Sequence, residues 1–165
     1  MTLQIDPQLV KPLANWHDAM GGGIDLHDVP ATRELTDRLG AALMAKSQRP
    51  DGVTSEDKWV AGPPGAPDVY VRLYRPSASE GEVLPALLWI HGGGYVIGSV
   101  ERDDLLAARL CDVGNCVVAS VEYRLAPEHP FPAPVEDCYA ALKWLAGQHE
   151  QLGVDDSRIA IGGAS

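Results

Sequence analysis

Three short apolar runs separated by helical stretches constrain the fold of this 165-residue chain more than any other feature. Continuous apolar runs of this length are typical of strands that are covered on both faces. The stretches between them have helical patterns, and Gly114 and Gly153 stand where those helices should end. The order strand, helix, strand, helix, strand predicts an α/β fold with a mostly parallel sheet and right-handed crossovers. The runs are residues 85–90, 116–121 and 157–162, the helices are 99–113 and 134–152, and two earlier strands are predicted at 58–61 and 68–74.

The first 47 residues differ in sequence pattern from the rest of the chain and are predicted to be helical. One apolar stripe at helical spacing should end at the glycines 21–23, and a second helix should start at Asp28, with Pro30 in its first turn. We therefore predict a helical region over residues 1–47, followed by an α/β region over 48–165. The two stripes are formed by Leu9, Leu13, Trp16 and Met20, and by Leu35, Leu39 and Leu43.

Composition excludes several classes of partner. The net charge of −10 argues against a non-specific nucleic-acid binder and against attachment to an anionic membrane. The longest apolar run, residues 84–90, is too short to span a bilayer, and no signal peptide is readable at the start. The three cysteines lack metal-ligand spacing, and an odd number favours buried thiols in a reducing compartment. A cytoplasmic protein without a metal is expected.

The motif His91-Gly92-Gly93-Gly94-Tyr95 directly follows the first apolar run. Consecutive glycines leave backbone amides unshielded, so they can approach a ligand oxygen and stabilise a developing oxyanion. A flexible turn is an equally good interpretation of the glycines alone. Whether Tyr95 lines a site is likewise open. The motif fits neither a P-loop nor a dinucleotide-binding fingerprint, so a nucleotide site is not expected.

A proline-rich segment, residues 123–134, follows the second apolar run. We interpret it as structural, with an ion pair between Arg124 and Glu128 holding the loop and His129 as a loop residue. No nucleophile or orienting acid is evident beside His129.

The chain ends in Gly163-Ala164-Ser165 after the last apolar run. A strand that leads into Gly-x-Ser forms the first half of a nucleophile elbow. A motif of three residues often occurs by chance, so this one is informative only because it follows a predicted strand.

Together, the order H-G-G-G-Y, Y-R-L-A-P-E-H-P-F-P-A-P and R-I-A-I-G-G-A-S resembles the bacterial hormone-sensitive-lipase-like esterases. The resemblance covers about residues 56–165, and it implies an α/β-hydrolase fold. It also implies that residues 1–47 form a helical cap region and that 48–165 form the first half of the catalytic domain. It implies that Ser165 is the nucleophile and that the Gly93 and Gly94 amides form the oxyanion hole, with His91, Gly92 and Tyr95 in the site loop.

The resemblance also implies a reaction and its partners. The substrate would be a small ester with a short- to medium-chain acyl group, cleaved through an acyl-enzyme without a metal or an organic cofactor, and a homodimer is left open. In this family the triad acid and histidine follow the serine. We therefore expect that the C-terminal half of the fold lies outside these 165 residues, and that this chain alone is inactive.

An alternative is a relative that keeps the fold and binds a small ligand without turnover, or an inactive fragment. The intact serine and glycines favour the enzyme, and the absence of the triad partners favours the alternative. Trp16 also has two interpretations, as part of an acyl pocket or as ordinary packing.

Overall fold

The computed structural model describes residues 5–19, 21, 25–79 and 81–165. Met20, Gly22 and Gly23, where the first helix was predicted to end, lie outside the described residues. The helices are α1 (Pro7–Ala19), α2 (Val29–Met44), α3 (Val100–Gly114), α4 (Ala133–Gly147) and α5 (His149–Leu152). The strands are β1 (Val53–Val60), β2 (Val69–Pro76), β3 (Leu84–Ile90), β4 (Val117–Glu122) and β5 (Val154–Gly163).

The five strands form one sheet in the order β1-β2-β4-β3-β5. β1 and β2 are antiparallel to each other, and β2 is antiparallel to β4. β3 runs parallel to both β4 and β5, as the strand–helix alternation predicts. The carboxyl ends of β3 and β5 therefore lie side by side, which is where open parallel sheets bind ligands.

Helices cover both faces of this sheet, and each face has its own apolar cluster. On one face, α3 contributes Ala107, Ala108 and Cys111, which pack against Tyr74 and Trp89. The opposite face is covered by α4, whose buried Ala141 and Leu145 join the larger cluster of strand residues. Alternate residues of β2 and β4 belong to opposite faces, because successive side chains of a strand point to opposite sides.

Several boundaries differ from the sequence predictions, and three of the differences have a clear structural description. Asn115, and not Gly114, takes the left-handed conformation at the end of α3, with φ 43°. The helix predicted over 134–152 is divided at Gln148 into α4 and α5, although Gly153 ends it as predicted. β1 begins five residues before its apolar segment, because pairing with β2 holds a polar stretch in the strand.

The two N-terminal helices, α1 and α2, follow the predicted pattern in part. Asp28 caps α2 by accepting a hydrogen bond from the Ala31 amide at 3.0 Å. The buried residues of α2 are Thr32 and Thr36, whereas Leu43, from the predicted stripe, is exposed. Among the residues that the structure describes, no helix combines the length and apolarity that crossing a membrane requires.

Candidate active site

The glycine motif and the terminal serine lie at the carboxyl ends of two neighbouring strands. Ile90 of β3 is in register with Gly163 of β5, and the Ala164 amide donates a hydrogen bond to the Ile90 carbonyl at 3.1 Å. A Cβ on Gly92 would lie 3.1 Å from the carbonyl carbon of Ala164. The structure thus brings the loop of residues 91–95 into contact with the segment that carries Ser165, although some 70 residues separate them in the sequence.

Gly93 is the residue around which the loop turns. Its φ is +127°, and a Cβ there would lie 2.0 Å from the Ile97 carbonyl oxygen. Its own carbonyl accepts hydrogen bonds from the Val96 and Ile97 amides, each at 3.1 Å. Only glycine fits this tight turn, which gives Gly93 a defined structural role in the loop.

The amides of Gly93 and Gly94 keep their hydrogen-bonding capacity. Within the described ranges, no protein group accepts a hydrogen bond from either amide. The space beside Gly94 is open, since nothing lies within 4 Å of its Cβ position. An unpaired amide that is not shielded by a side chain can donate to a ligand oxygen.

Ser165 itself is exposed. Over the residues described, its hydroxyl has no hydrogen-bond partner, from a histidine or from any other residue. A serine hydroxyl without a base is a poor nucleophile, so the described residues alone do not activate Ser165.

His91 is part of the structural support of the site. It is 1% exposed, and its ring stacks on Tyr123 with 4.1 Å between centroids. Its Nδ1 lies 3.0 Å from the Gly92 carbonyl, and the Tyr123 hydroxyl donates to the His91 carbonyl at 2.8 Å. Burial lowers the pKa of the His91 imidazole, which keeps the ring neutral near pH 7.

Tyr95 is half exposed beside the glycines. Its φ of 63° places it in the left-handed region, and its ring meets Tyr123 edge-on at 5.9 Å. Its carbonyl accepts a hydrogen bond from the Ala126 amide at 2.8 Å, which joins the glycine loop to the proline-rich segment.

The ion pairs of the proline-rich segment differ from the predicted one. Arg124 pairs with Asp137 of α4, through Nε and Nη2 at 2.8 Å each. Glu128 pairs instead with Arg33 of α2, at 2.8 Å for each oxygen. The predicted Arg124–Glu128 pair was therefore wrong, although both residues do hold the loop. His129 is exposed, in keeping with its interpretation as a loop residue.

A cavity of about 360 Å³ lies between helices α1 and α2 on one side and Ile97 and Arg102 on the other. Trp16 of α1 lines it, with 51% of the residue exposed, so it is not ordinary core packing. Ile97, whose amide is bonded to Gly93, forms the wall on the loop side. The remaining lining residues are Ala19, Thr36, Leu39, Gly40, Ala42, Leu43, Lys46 and Arg102.

Sequence reasoning missed three residues that hold the site. Arg33 and Asp137 are the partners of the proline-rich segment described above. Glu122, at the end of β4, accepts a hydrogen bond from the Val100 amide at 2.6 Å and so fixes the start of α3, just after the glycine loop. Burial raises the pKa of the Glu122 carboxyl, and this hydrogen bond opposes the rise. Only the position of Glu122 at a predicted strand end gave a signal.

The cysteines and acidic groups supply no metal site in the part of the chain that is described. Cys111, Cys116 and Cys138 are free and buried, as the sequence predicted. Burial raises the pKa of each thiol, to about 12 for Cys111 and Cys138.

Comparison with known proteins identifies the relatives of this fold. A family model described as alpha/beta hydrolase fold matches residues 87–165. An ethyl acetate hydrolase of Pseudomonas putida is 33% identical over 168 residues, covering 100% of this chain and 52% of that enzyme. The carboxylesterase NlhH of Mycobacterium tuberculosis is 42% identical over 101 residues, covering 61% of this chain and 31% of that enzyme.

Solved structures agree with these relatives. A bacterial heroin esterase superposes with a TM-score of 0.85 at 41% identity, covering 96% of this chain and 48% of that one. A hyperthermophilic esterase from the archaeon Pyrobaculum calidifontis gives a TM-score of 0.84 at 39% identity, covering 98% of this chain and 50% of that one. The chain spans about half the length of these esterases. Because its ordered motifs and its described fold match the same kind of protein, the chain has the α/β-hydrolase fold, and these similarities confirm its resemblance to the hormone-sensitive-lipase-like esterases.

Proposed function

We propose that the whole protein hydrolyses carboxylic esters and that Ser165 is its nucleophile. The observation that carries this proposal is the contact between the glycine loop and the segment that ends in Ser165 at one edge of the sheet. The relatives named as ester hydrolases support the reaction class.

In the proposed reaction, Ser165 Oγ attacks the ester carbonyl carbon while a base takes its proton. The carbonyl oxygen becomes an oxyanion, and the Gly93 and Gly94 amides donate hydrogen bonds to it. The alcohol leaves with a proton, and an acyl-enzyme remains. Water then attacks the acyl carbon and releases the acid, and Ser165 regains its proton.

The base is proposed to be a histidine held by a carboxylate. In α/β-hydrolases the acid and the histidine follow the serine in the chain. None of the described histidines is hydrogen-bonded to Ser165, and the buried His91 ring is stacked on Tyr123. We therefore expect these 165 residues alone to be inactive, with the triad completed elsewhere in the whole protein.

Short- to medium-chain acyl esters are the proposed substrates. The cavity of about 360 Å³ under Trp16 is close to the lower end of the usual size of ligand pockets, about 300–1,000 Å³. We propose that the cap region over residues 1–47 covers the acyl group there. A series of p-nitrophenyl esters from acetate to laurate tests this, and highest kcat/KM on the longest chains would contradict it.

The remaining elements of the proposal concern cofactors, location and assembly. The chemistry above calls for neither a metal ion nor an organic cofactor. We propose the cytoplasm as the location, because the three cysteines are free thiols. Light scattering of the whole protein distinguishes a monomer from a homodimer.

The decisive experiment removes the hydroxyl of Ser165. The whole protein should hydrolyse p-nitrophenyl butyrate, and Ser165→Ala should abolish this while the matched control, Ser55→Ala on exposed strand β1, does not. A fluorophosphonate should label the wild type and the control but not Ser165→Ala. Full activity in a folded Ser165→Ala protein would refute the assignment. A protein that binds small esters without hydrolysing them would instead be a non-catalytic relative.

A further inference from the structure

Arg33 of the cap helix α2 reaches across to both loops of the site. Its Nε donates to the Val96 carbonyl at 2.8 Å, and its Nη2 donates to the Ala126 carbonyl at 2.9 Å. Nη1 and Nη2 also donate to the two Glu128 oxygens, each at 2.8 Å. One side chain therefore makes four hydrogen bonds to residues that lie 63 to 95 positions away.

Both carbonyls belong to residues that are themselves bonded to the glycine loop. The Val96 amide donates to the Gly93 carbonyl at 3.1 Å, and the Ala126 amide donates to the Tyr95 carbonyl at 2.8 Å. Arg33 thus binds the carbonyls of the two residues whose amides hold Gly93 and Tyr95. The orientation of the Gly94 peptide between them depends on both.

The guanidinium suits this role because it is planar and always charged, with five donors in a fixed geometry. Hydrogen bonds from a charged donor are stronger than neutral ones. The Arg33 side chain is 26% exposed, so its bonds to the two carbonyls are partly shielded, whereas Glu128 is 52% exposed. Arg33 lowers the pKa of the Glu128 carboxyl to about 2, so the ion pair between Arg33 and Glu128 persists into acidic pH.

We propose that Arg33 is a positioning residue that sets the conformation of the oxyanion loop from the cap helix. It acts through the Val96 and Ala126 carbonyls and does not touch the substrate. The role in catalysis rests on the proposed function, whereas the role in ordering the loop does not. Glu128 has the lesser role in this arrangement: it is exposed, and it helps to hold the Arg33 guanidinium in position.

Substitutions at Arg33 and at a matched arginine test this proposal in the whole protein. Arg33→Ala should lower kcat for p-nitrophenyl butyrate by about 10- to 100-fold with little change in KM, since oxyanion donors act mainly in the transition state. Arg33→Lys should recover little, because one ammonium group cannot serve two carbonyls in a fork. Glu128→Gln should cost less than threefold. Arg38→Ala, on the exposed face of the same helix, is the control.

Hydrogen–deuterium exchange gives a second readout that does not depend on activity. The peptide covering residues 92–98 should exchange faster in Arg33→Ala than in the wild type or in Arg38→Ala, at a temperature where all three are folded. Unchanged exchange would overturn the proposal, and so would an effect on KM alone. If the wild type hydrolyses no ester, the proposed function fails, while the exchange experiment still decides whether Arg33 orders the loop.

Discussion

The backbone amide of Ala164 donates a hydrogen bond to the carbonyl of Ile90 at 3.1 Å. This bond joins the residue before the proposed nucleophile to the residue before the glycine motif. The separation of the two parts of the site is thus set by backbone pairing between β3 and β5, and not by side chains. Substitutions in the loop should therefore change the direction of its amides and leave its distance from the serine unchanged.

The two proposed oxyanion donors should respond differently to the same substitution. A methyl group on Gly93 would meet the Ile97 carbonyl oxygen at 2.0 Å, whereas nothing lies within 4 Å of that position on Gly94. We expect Gly93→Ala to lower kcat for p-nitrophenyl butyrate by about 10²-fold or more, as loss of an oxyanion donor does. Gly94→Ala should lose less, because its cost is left-handed backbone strain of about 1–2 kcal/mol.

Circular dichroism and thermal melts serve as the control for both glycine variants. Equal losses of kcat in the two, with both folded, would mean that the steric difference at Gly93 and Gly94 has no bearing on the site.

Asp137 should be important for stability. It is 1% exposed and accepts three hydrogen bonds from Arg124, one of them from the backbone amide at 2.9 Å. Removing one partner of such a buried pair costs about 3–5 kcal/mol. We expect Asp137→Ala to lower the free energy of unfolding by about 3 kcal/mol in urea titrations, and the exposed neighbour substitution Glu136→Ala by less than about 0.5 kcal/mol. A loss below about 1 kcal/mol for Asp137→Ala would contradict this account.

His91 should make the stability depend on pH. Burial lowers its pKa in the folded state below the ordinary value of about 6.5. The unfolded chain then binds more protons, so the free energy of unfolding falls as pH decreases from about 6.5 towards the folded pKa. We expect urea titrations at pH 7.5 and 5.5 to show a larger loss for the wild type than for His91→Gln. An equal loss would exclude His91 as the source.

The cysteines should be unreactive in the folded protein. All three thiols are buried and their pKa values are raised, so little thiolate is present at pH 8. We expect Ellman's reagent to modify none of them within minutes under native conditions, and all three in about 6 M guanidinium chloride. Rapid native reaction of one thiol would show local opening around it.

The features that could be predicted from the sequence are those that depend on interactions within a few neighbouring residues. The apolar runs and the spacing of Asp28 before Pro30 reflect burial and capping within a few residues, and the structure has the corresponding strands and helix. The Arg33–Glu128 contact joins residues 95 positions apart, and only the topology decides that partner. The polar first half of β1 carried no strand pattern, because its place in the sheet comes from pairing with β2.

The order of the strands has a consequence for synthesis of the protein. β2 pairs with β4, which follows it by about 40 residues, and β3 then lies between β4 and β5. At a synthesis rate of about 5–20 residues per second, β4 follows β2 after roughly 2–8 seconds. During that time the edge of β2 that pairs with β4 has no partner. Val71 and Leu73, which end in the core, are uncovered during that interval. We therefore expect the nascent chain to need protection by chaperones until the glycine loop and the segment that carries Ser165 come into contact.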